Sequence, residues 1–336
     1  MTANPARAKE PKDTQGRAVS PERAMLMLRA VEMYFLEEAS RSEIGDRLGI
    51  SRFKVARLLK EARELGMVNI SIARPDGLDP HRSDLLRARW NLPRSIVVPT
   101  APDDSIPQLL AEAAASYLDE HVTADDVLGL SSGRTTSRIA RLIKSLPHCT
   151  IVQIAGVASA TSLWENPTET IRRMTQLTAG PSYPIFAPIV LSTGAAAEAL
   201  RNEPGIAEAC ARFDDLTRVV ITCAPWVAGE SMIHDSVTPA DQALVAACAP
   251  AGEVLANVLD AEGRETAESF TERALAISIP QLKKISDVIL VAGGQRRHDA
   301  ILACMRAGIV DTLITDSLTA QFLIDNAPEA EASPAG

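Results

Sequence analysis

The chain has 336 residues, 46% of them apolar and 23% charged, with a formal net charge of −9. That length exceeds what one core usually holds, and the composition excludes a disordered or fibrous class, so two folded units are expected. The charge is uneven: residues 1–74 carry 14 basic against 10 acidic side chains, net +4, and the rest carry 20 against 33, net −13. Only the N-terminal unit is electrostatically suited to nucleic acid.

Residues 1–19 and 326–336 are rich in Pro, Ala and charge and read as disordered tails. Ser20-Pro21-Glu22 starts a helix through Ala39, with Leu28, Val31, Phe35 and Leu36 as its packing stripe. From Arg41 to Ala73 follow two short helices, a tight turn and a wing. Ser42 reads as the N-cap of a helix over Glu43 to Leu48, with Ile44 and Leu48 on one face, and Leu48-Gly49-Ile50 supplies the turn. Gly45 stands where alanine is usual, and it weakens that helix by ~1 kcal/mol while permitting close approach. Ser51 caps the second helix, in which Val55, Leu58, Leu59 and Ala62 form a buried stripe.

The opposite face of that helix is cationic. Arg52, Lys54, Arg57, Lys60 and Arg63 face a single acid, Glu61, as a helix entering a phosphate-lined groove requires. Ser51, Arg52, Phe53, Lys54, Arg57, Lys60 and Arg63 are therefore the candidate DNA-contacting residues. Phe53 either packs on a thymine methyl or folds back onto the first helix. Gly66 reads as the C-cap glycine, and Met67 to Ala73 alternates like an edge strand. The boundaries are 20–74 for this helix-turn-helix domain, 75–94 for a linker with a short helix near Leu85 to Trp90, and 95–325 for a second domain.

The second domain alternates strand and helix: IVVP at 96–99, a helix over Ile106 to His121, VLGLSSG, a helix over Thr135 to Leu146, and TIVQIAG. VVITCAP, EVLANVLD, VILVAGG and LITD follow, with helices between. This is the pattern of an α/β sandwich around a mainly parallel sheet, whose ligands sit where strands run into helices. The uncharged run from Met174 to Ala197 is broken by Pro181, Pro184 and Pro188 and reads as loop plus strand, not a membrane span. Five scattered cysteines without CxxC spacing fit a reducing cytoplasm, and five dispersed histidines build no metal site, so neither metal nor cofactor is expected.

Two strand-end loops carry anion-binding chemistry. Ser132, Gly133, Arg134, Thr135 and Thr136 open a helix with small residues, hydroxyls and a guanidinium, which suits a phosphate or, on the other reading, a helix capped by its own Ser and Thr. Gly293 and Gly294 expose backbone donors before Arg297 one turn into the next helix. Glu253, in the turn Ala251-Gly252-Glu253, either accepts from sugar hydroxyls or is an ordinary exposed glutamate.

These segments, with ISRFKVARLLKEARELGMVNISI, IVQIAG, APIV at 187–190, GEVLANVLDAEG and VAGGQRRHDAILACMRAGIVDTLITDSLTAQFLI, resemble the SorC family of bacterial sugar-responsive transcription regulators over about residues 22–325. The resemblance implies an N-terminal helix-turn-helix and an effector domain built like sugar-phosphate isomerases and glucosamine-phosphate deaminases, assembling as homodimers or homotetramers. It also implies double-stranded operator DNA and a phosphorylated sugar or polyol as partners, and no membrane. Gly133, Arg134, Thr135 and Thr136 look like the family's phosphate loop, Gln153 of IVQIAG joins the ligand-binding candidates, and Glu253 takes the place of the acidic sugar-contacting residue. Arg297 takes the place of the usual pocket lysine, a departure that favours a bidentate grip on an acidic group. A rival expectation is isomerase or deaminase chemistry on the same fold, but one carboxylate, non-titrating arginines and His298 make a poor acid–base set. The expectation is therefore a regulator and not an enzyme.

Overall fold

The computed structural model describes residues 20–68, 78–102, 105–131, 133–158 and 167–328. The chain divides into two compact units between Arg74 and Pro75.

The N-terminal unit holds α1 (Pro21–Phe35), α2 (Arg41–Leu48) and α3 (Arg52–Glu64). Ser20 caps α1 as expected, but the cap of α2 is Ser40 and not Ser42. Ser40 Oγ accepts from the Glu43 amide at 3.3 Å while the Glu43 carboxylate accepts from the Ser40 amide at 2.8 Å. Ser42 has glycine three residues on and cannot form that reciprocal pair, so the helix starts earlier. Gly49 adopts φ 65°, the left-handed conformation the turn needs, and Ser51 Oγ accepts from the Lys54 amide at 3.3 Å to start α3. At its end Gly66 has φ 71° and the Met67 amide reaches the Ala62 carbonyl at 2.9 Å, a Schellman closure.

Val55, Leu58, Leu59 and Ala62 are all buried, together with Ile44, Met27 and Ala30. The stripe expected on α1 is rotated: Leu28 and Leu36 are 38% and 78% exposed, while Met27 and Ala30 face the core. The wing expected after Met67 lies mostly outside the described residues.

The larger unit runs α4 (Pro80–Trp90), β1 (Arg94–Val98), α5 (Ile106–His121), β2 (Val127–Leu130), α6 (Arg134–Leu142), β3 (Thr150–Gln153), α7 (Pro167–Thr178), β4 (Ser182–Tyr183), α8 (Gly194–Arg201) and α9 (Pro204–Ala211). It continues through β5 (Arg218–Ile221), α10 (Met232–Ser236), α11 (Pro239–Ala246), β6 (Gly252–Val254), β7 (Asn257–Leu259), β8 (Glu265–Thr266), α12 (Glu268–Thr271) and α13 (Ile279–Leu282). β9 (Asp287–Val291), α14 (His298–Ala307), β10 (Thr312–Asp316) and α15 (Ser317–Asp325) complete it.

Seven strands form one parallel sheet in the order β1-β10-β9-β5-β2-β3-β4. Both faces are covered. Val97, Val152, Val219, Ile221, Val288, Leu290 and Leu313 join one apolar cluster, while their strand neighbours Val98, Ile151, Val220, Ile289, Val291 and Ile314 join another. Alternation between two buried faces is why these strands read as continuous apolar runs. The chain fills the sheet outward from β2 to β4, then outward the other way from β5 through β9 to β10, so the direction reverses between β2 and β5. At that switch point the loops after β2, β5 and β9 lie side by side.

Three expectations change. EVLANVLD is not a strand of the main sheet: β6 and β7 form an antiparallel hairpin that β8 extends. Leu255 and Ala256, both with positive φ, make its two-residue turn, which returns the chain before a longer strand can form. The helix in the expected linker starts at Pro80, because Asp79 Oδ1 caps it by accepting from the Arg82 amide at 3.1 Å. That helix packs on β1 and α15, and Trp90 Nε1 donates to the Leu323 carbonyl at 3.0 Å. Third, α6 ends at Leu142, four residues short of Leu146.

The amino ends of the strands are fastened by a polar cluster. Asp287, 4% exposed, accepts from Tyr117 Oη at 2.8 Å and Thr312 Oγ1 at 2.7 Å and pairs with Arg218. This pole is occupied by protein partners, which leaves ligand chemistry to the carboxyl ends.

Candidate functional site

The exposed face of α3 carries Arg52, Lys54, Arg57, Lys60 and Arg63, all exposed, along with its cap Ser51. Phe53 is 73% exposed, so it does not fold back onto the first helix; the Arg52 guanidinium lies 5.0 Å from its ring centroid. Lys60 sits 3.8 Å from Glu64, and Arg63 stacks 5.5 Å over the Phe35 ring. Glu61, one of two acids on this helix, is held by Arg23 at 2.7 Å and 3.0 Å. With Glu61 paired to α1 and Glu64 beside Lys60, the exposed face of α3 is predominantly basic, which is what a phosphate-lined groove attracts.

In the larger unit the loops after β2 and β9 face one cleft of about 470 Å³, within the range of small-ligand sites. Arg134, Thr135 and Arg138 line one side and Gly293, Gly294 and Arg297 the other. A smaller chamber of about 70 Å³ opens beneath, bounded by Gly133, Thr222, Ala224, Glu253 and Leu255; Arg134, Thr135, Glu230 and Arg297 border both. The N-cap of α6 is Gly133, which has no side chain to cap the helix. The helix N-terminus adds a partial positive charge beside Arg134. Arg297 ends a short 3₁₀ turn and does not lie a turn inside α14 as expected; its Nη1 donates to the Cys223 carbonyl at 2.7 Å, which aims the guanidinium across the cleft.

Glu253 is neither exposed nor part of a turn. It lies in β6 at 6% exposure, accepting from Ser231 Oγ at 2.9 Å and the Ala256 amide at 3.4 Å. Burial pushes its carboxyl up to about 7, against the opposing pull of those two hydrogen bonds and of Arg297. At neutral pH such a group both donates and accepts, which suits a sugar hydroxyl.

The remaining candidates do not converge in the same way. Thr136 is buried and shares a hydrogen bond with Ser131 Oγ at 3.1 Å, so its hydroxyl turns inward. Gln153 is buried: its Nε2 donates to the Ala155 and Ile185 carbonyls at 2.7 and 3.2 Å, and its Oε1 accepts from the Ile185 amide at 3.2 Å. Its amide clamps the chain after β4 instead of lining the cleft. The Gly294 amide is likewise engaged, donating to Asp316 Oδ2 at 2.8 Å and Thr319 Oγ1 at 3.2 Å, so it is not a donor for a ligand. Ser132 lies outside the described residues. Sequence reasoning missed Glu230, Ser231 and Cys223, because the loop after β5 carries no glycine pair or cationic signal.

Residues 79–325 match the family model described as "Putative sugar-binding domain". The chain belongs to this sugar-binding family, that of the SorC-type transcriptional regulators. Among its relatives, the transcriptional regulator YjhU of Escherichia coli K12 is 29% identical over 317 residues, covering 89% of this chain and 94% of YjhU. The deoxyribonucleoside regulator of Bacillus subtilis 168 is 26% identical, covering 91% of this chain and 99% of its own. In fold, the full-length sorbitol operon regulator SorC from Klebsiella pneumoniae superposes with a TM-score of 0.68 at 18% identity, covering 91% of this chain and all of that one. As a SorC-type transcriptional regulator the chain carries a helical N-terminal unit followed by a sugar-binding α/β domain.

Proposed function

We propose that α3 reads operator DNA and that a phosphorylated sugar or polyol, held in the cleft between the β2 and β9 loops, modulates that binding. The carrying observation is the convergence of Arg134, Thr135 and Arg297 from two separate strand ends onto one cleft, with Glu253 lining the smaller chamber that these residues also border. Guanidiniums and a helix N-terminus serve an anion, and a buried carboxyl near neutrality serves hydroxyls. The names of two relatives, a deoxyribonucleoside regulator and a sorbitol operon regulator, support a sugar or polyol. The DNA-contacting set is Ser51, Arg52, Phe53, Lys54, Arg57, Lys60 and Arg63. Residues 20–74 form the DNA-binding domain, and the unit that begins with α4 and runs through residue 325 forms the effector domain, of a cytoplasmic homodimer or homotetramer.

A catalytic use of the cleft is disfavoured, since arginines do not exchange protons at neutral pH and the relatives are named regulators. The test is a thermal-shift screen of phosphorylated sugars and polyols, followed by operator gel shifts with each hit. A ligand at a hundred times its Kd adds about 2.7 kcal/mol of stability. Failure of every phosphorylated compound to stabilise the protein, or steady aldose–ketose turnover, sinks the reading.

A further inference from the structure

Glu230 already occupies the position of an anion between the arginine loops. Its Oε1 accepts from Arg296 Nη1 at 2.9 Å, and its Oε2 lies 3.9 Å from Arg297 Nη2. From the other loop, Arg134 Nη2 donates to the Gly229 and Glu230 carbonyls at 3.4 and 3.3 Å. One short segment thus satisfies guanidiniums from both sides of the cleft. The Glu230 side chain is 21% exposed, so its charge is only partly screened.

We propose that Glu230 is a resident counter-ion which the effector's phosphoryl group displaces, and that this exchange makes the cleft select dianions over neutral sugars. The inference rests on the reading that the cleft binds a phosphorylated ligand. A neutral polyol entering here has to break the Glu230 pairs with nothing to replace them. A phosphoryl group replaces one carboxylate with three acceptor oxygens carrying more charge. The position of Glu230 adds a second reason. It borders both the cleft and the inner chamber that holds Glu253. A ligand that touches the arginines and also reaches Glu253 therefore passes alongside the Glu230 side chain.

The test uses inorganic phosphate as the probe. The full-length protein and its Glu230→Gln, Glu230→Asp and Arg297→Ala variants are titrated by calorimetry at constant ionic strength, with glycerol as the neutral control. Glu230→Gln should bind phosphate about fivefold more tightly, the scale of a partly exposed ion pair. Glu230→Asp, which keeps the charge, should stay within about twofold of the natural protein, and Arg297→Ala should lose binding. Glycerol should bind Glu230→Gln better than the natural protein or Glu230→Asp, because the ion pairs a neutral ligand has to break are gone, and equal glycerol binding by all three would refute the selection against neutral ligands. Circular dichroism and operator binding verify that Glu230→Gln is folded. If Arg297→Ala loses phosphate while Glu230→Gln binds it no better than the natural protein, the site stands and the counter-ion is refuted. If phosphate binds none of the four, or Arg297→Ala as well as the natural protein, the anion site itself falls and takes the counter-ion with it.

Discussion

Arg57 and Lys60 share the exposed face of α3, yet they differ in what they can recognise. A planar guanidinium can grip a guanine edge bidentately, whereas the Lys60 ammonium, already 3.8 Å from Glu64, acts as a point charge. Arg57→Ala should cost ~1 to 3 kcal/mol of operator affinity and relax base preference, while Lys60→Ala should weaken all sequences alike and flatten the salt dependence. Unchanged operator affinity for both in fluorescence anisotropy would remove α3 from the reading role. Glu253 makes a different kind of prediction. Its folded carboxyl titrates near 7, above its ordinary value near 4.5, because burial disfavours the charged form. The protonated state therefore favours folding: the contribution is fully present below about pH 4.5 and is lost as pH rises through 7. The full swing is about 3 kcal/mol, so Glu253→Gln should gain stability relative to the natural protein between pH 5 and 8. Parallel denaturation curves across that range would show that the carboxyl is not desolvated.

At the scale of elements, the turn between α2 and α3 depends on the residue that intrinsic propensity disfavours. A Cβ on Gly45 would lie 2.6 Å from the Ile50 carbonyl oxygen and 3.4 Å from the Arg52 amide, both backbone atoms that define the turn. Helix propensity alone says Gly45→Ala should stabilise by ~1 kcal/mol. Overpacking against the backbone instead costs ~1 to 3 kcal/mol and shifts α3, so net destabilisation with weakened operator binding is expected. A rise in Tm for Gly45→Ala would show that the turn gives way easily. The cap at Ser40 carries the same lesson, since both serines near the start of α2 suit capping by type and the acid at Glu43 selects one. In the effector domain, the β6–β7 turn places Leu255 and Ala256 in left-handed backbone at φ 55° and 64°, a conformation unfavourable for both. This strained turn lies beside the Glu253 carboxyl, and the Ala256 amide donates to it.

Across the whole molecule the proposal is a linkage between two units, and linkage can be separated from folding. Thr135→Ala and Arg297→Ala should each cost ~1.5 to 3 kcal/mol of effector affinity, the range for charge-assisted hydrogen bonds. Operator binding without effector should persist in both, because neither residue belongs to the N-terminal unit. Operator DNA should also shift effector affinity by the factor with which effector shifts operator affinity. Calorimetry that finds an identified effector bound equally tightly by both variants and the natural protein would end the pocket assignment.

The residues by themselves determined the elements whose signals are local. Gly49, Ser51 and the Val55–Ala62 stripe specify α3 through caps and periodicity, and continuous apolar runs specify the parallel strands. The arginine and glycine loops were likewise legible as strand ends that open helices, because position and residue type are local signals. What only the tertiary structure decided is which of these groups meet. Adjacency of the β2, β5 and β9 loops follows from the reversal of strand order, a long-range property with no local trace. Burial of Glu253, the clamp made by Gln153 and the capture of the Gly294 amide by Asp316 all depend on partners far along the chain. Glu230 is the clearest case: its carboxylate meets Arg296 and Arg297 of the loop after β9, while its carbonyl accepts from Arg134 of the loop after β2.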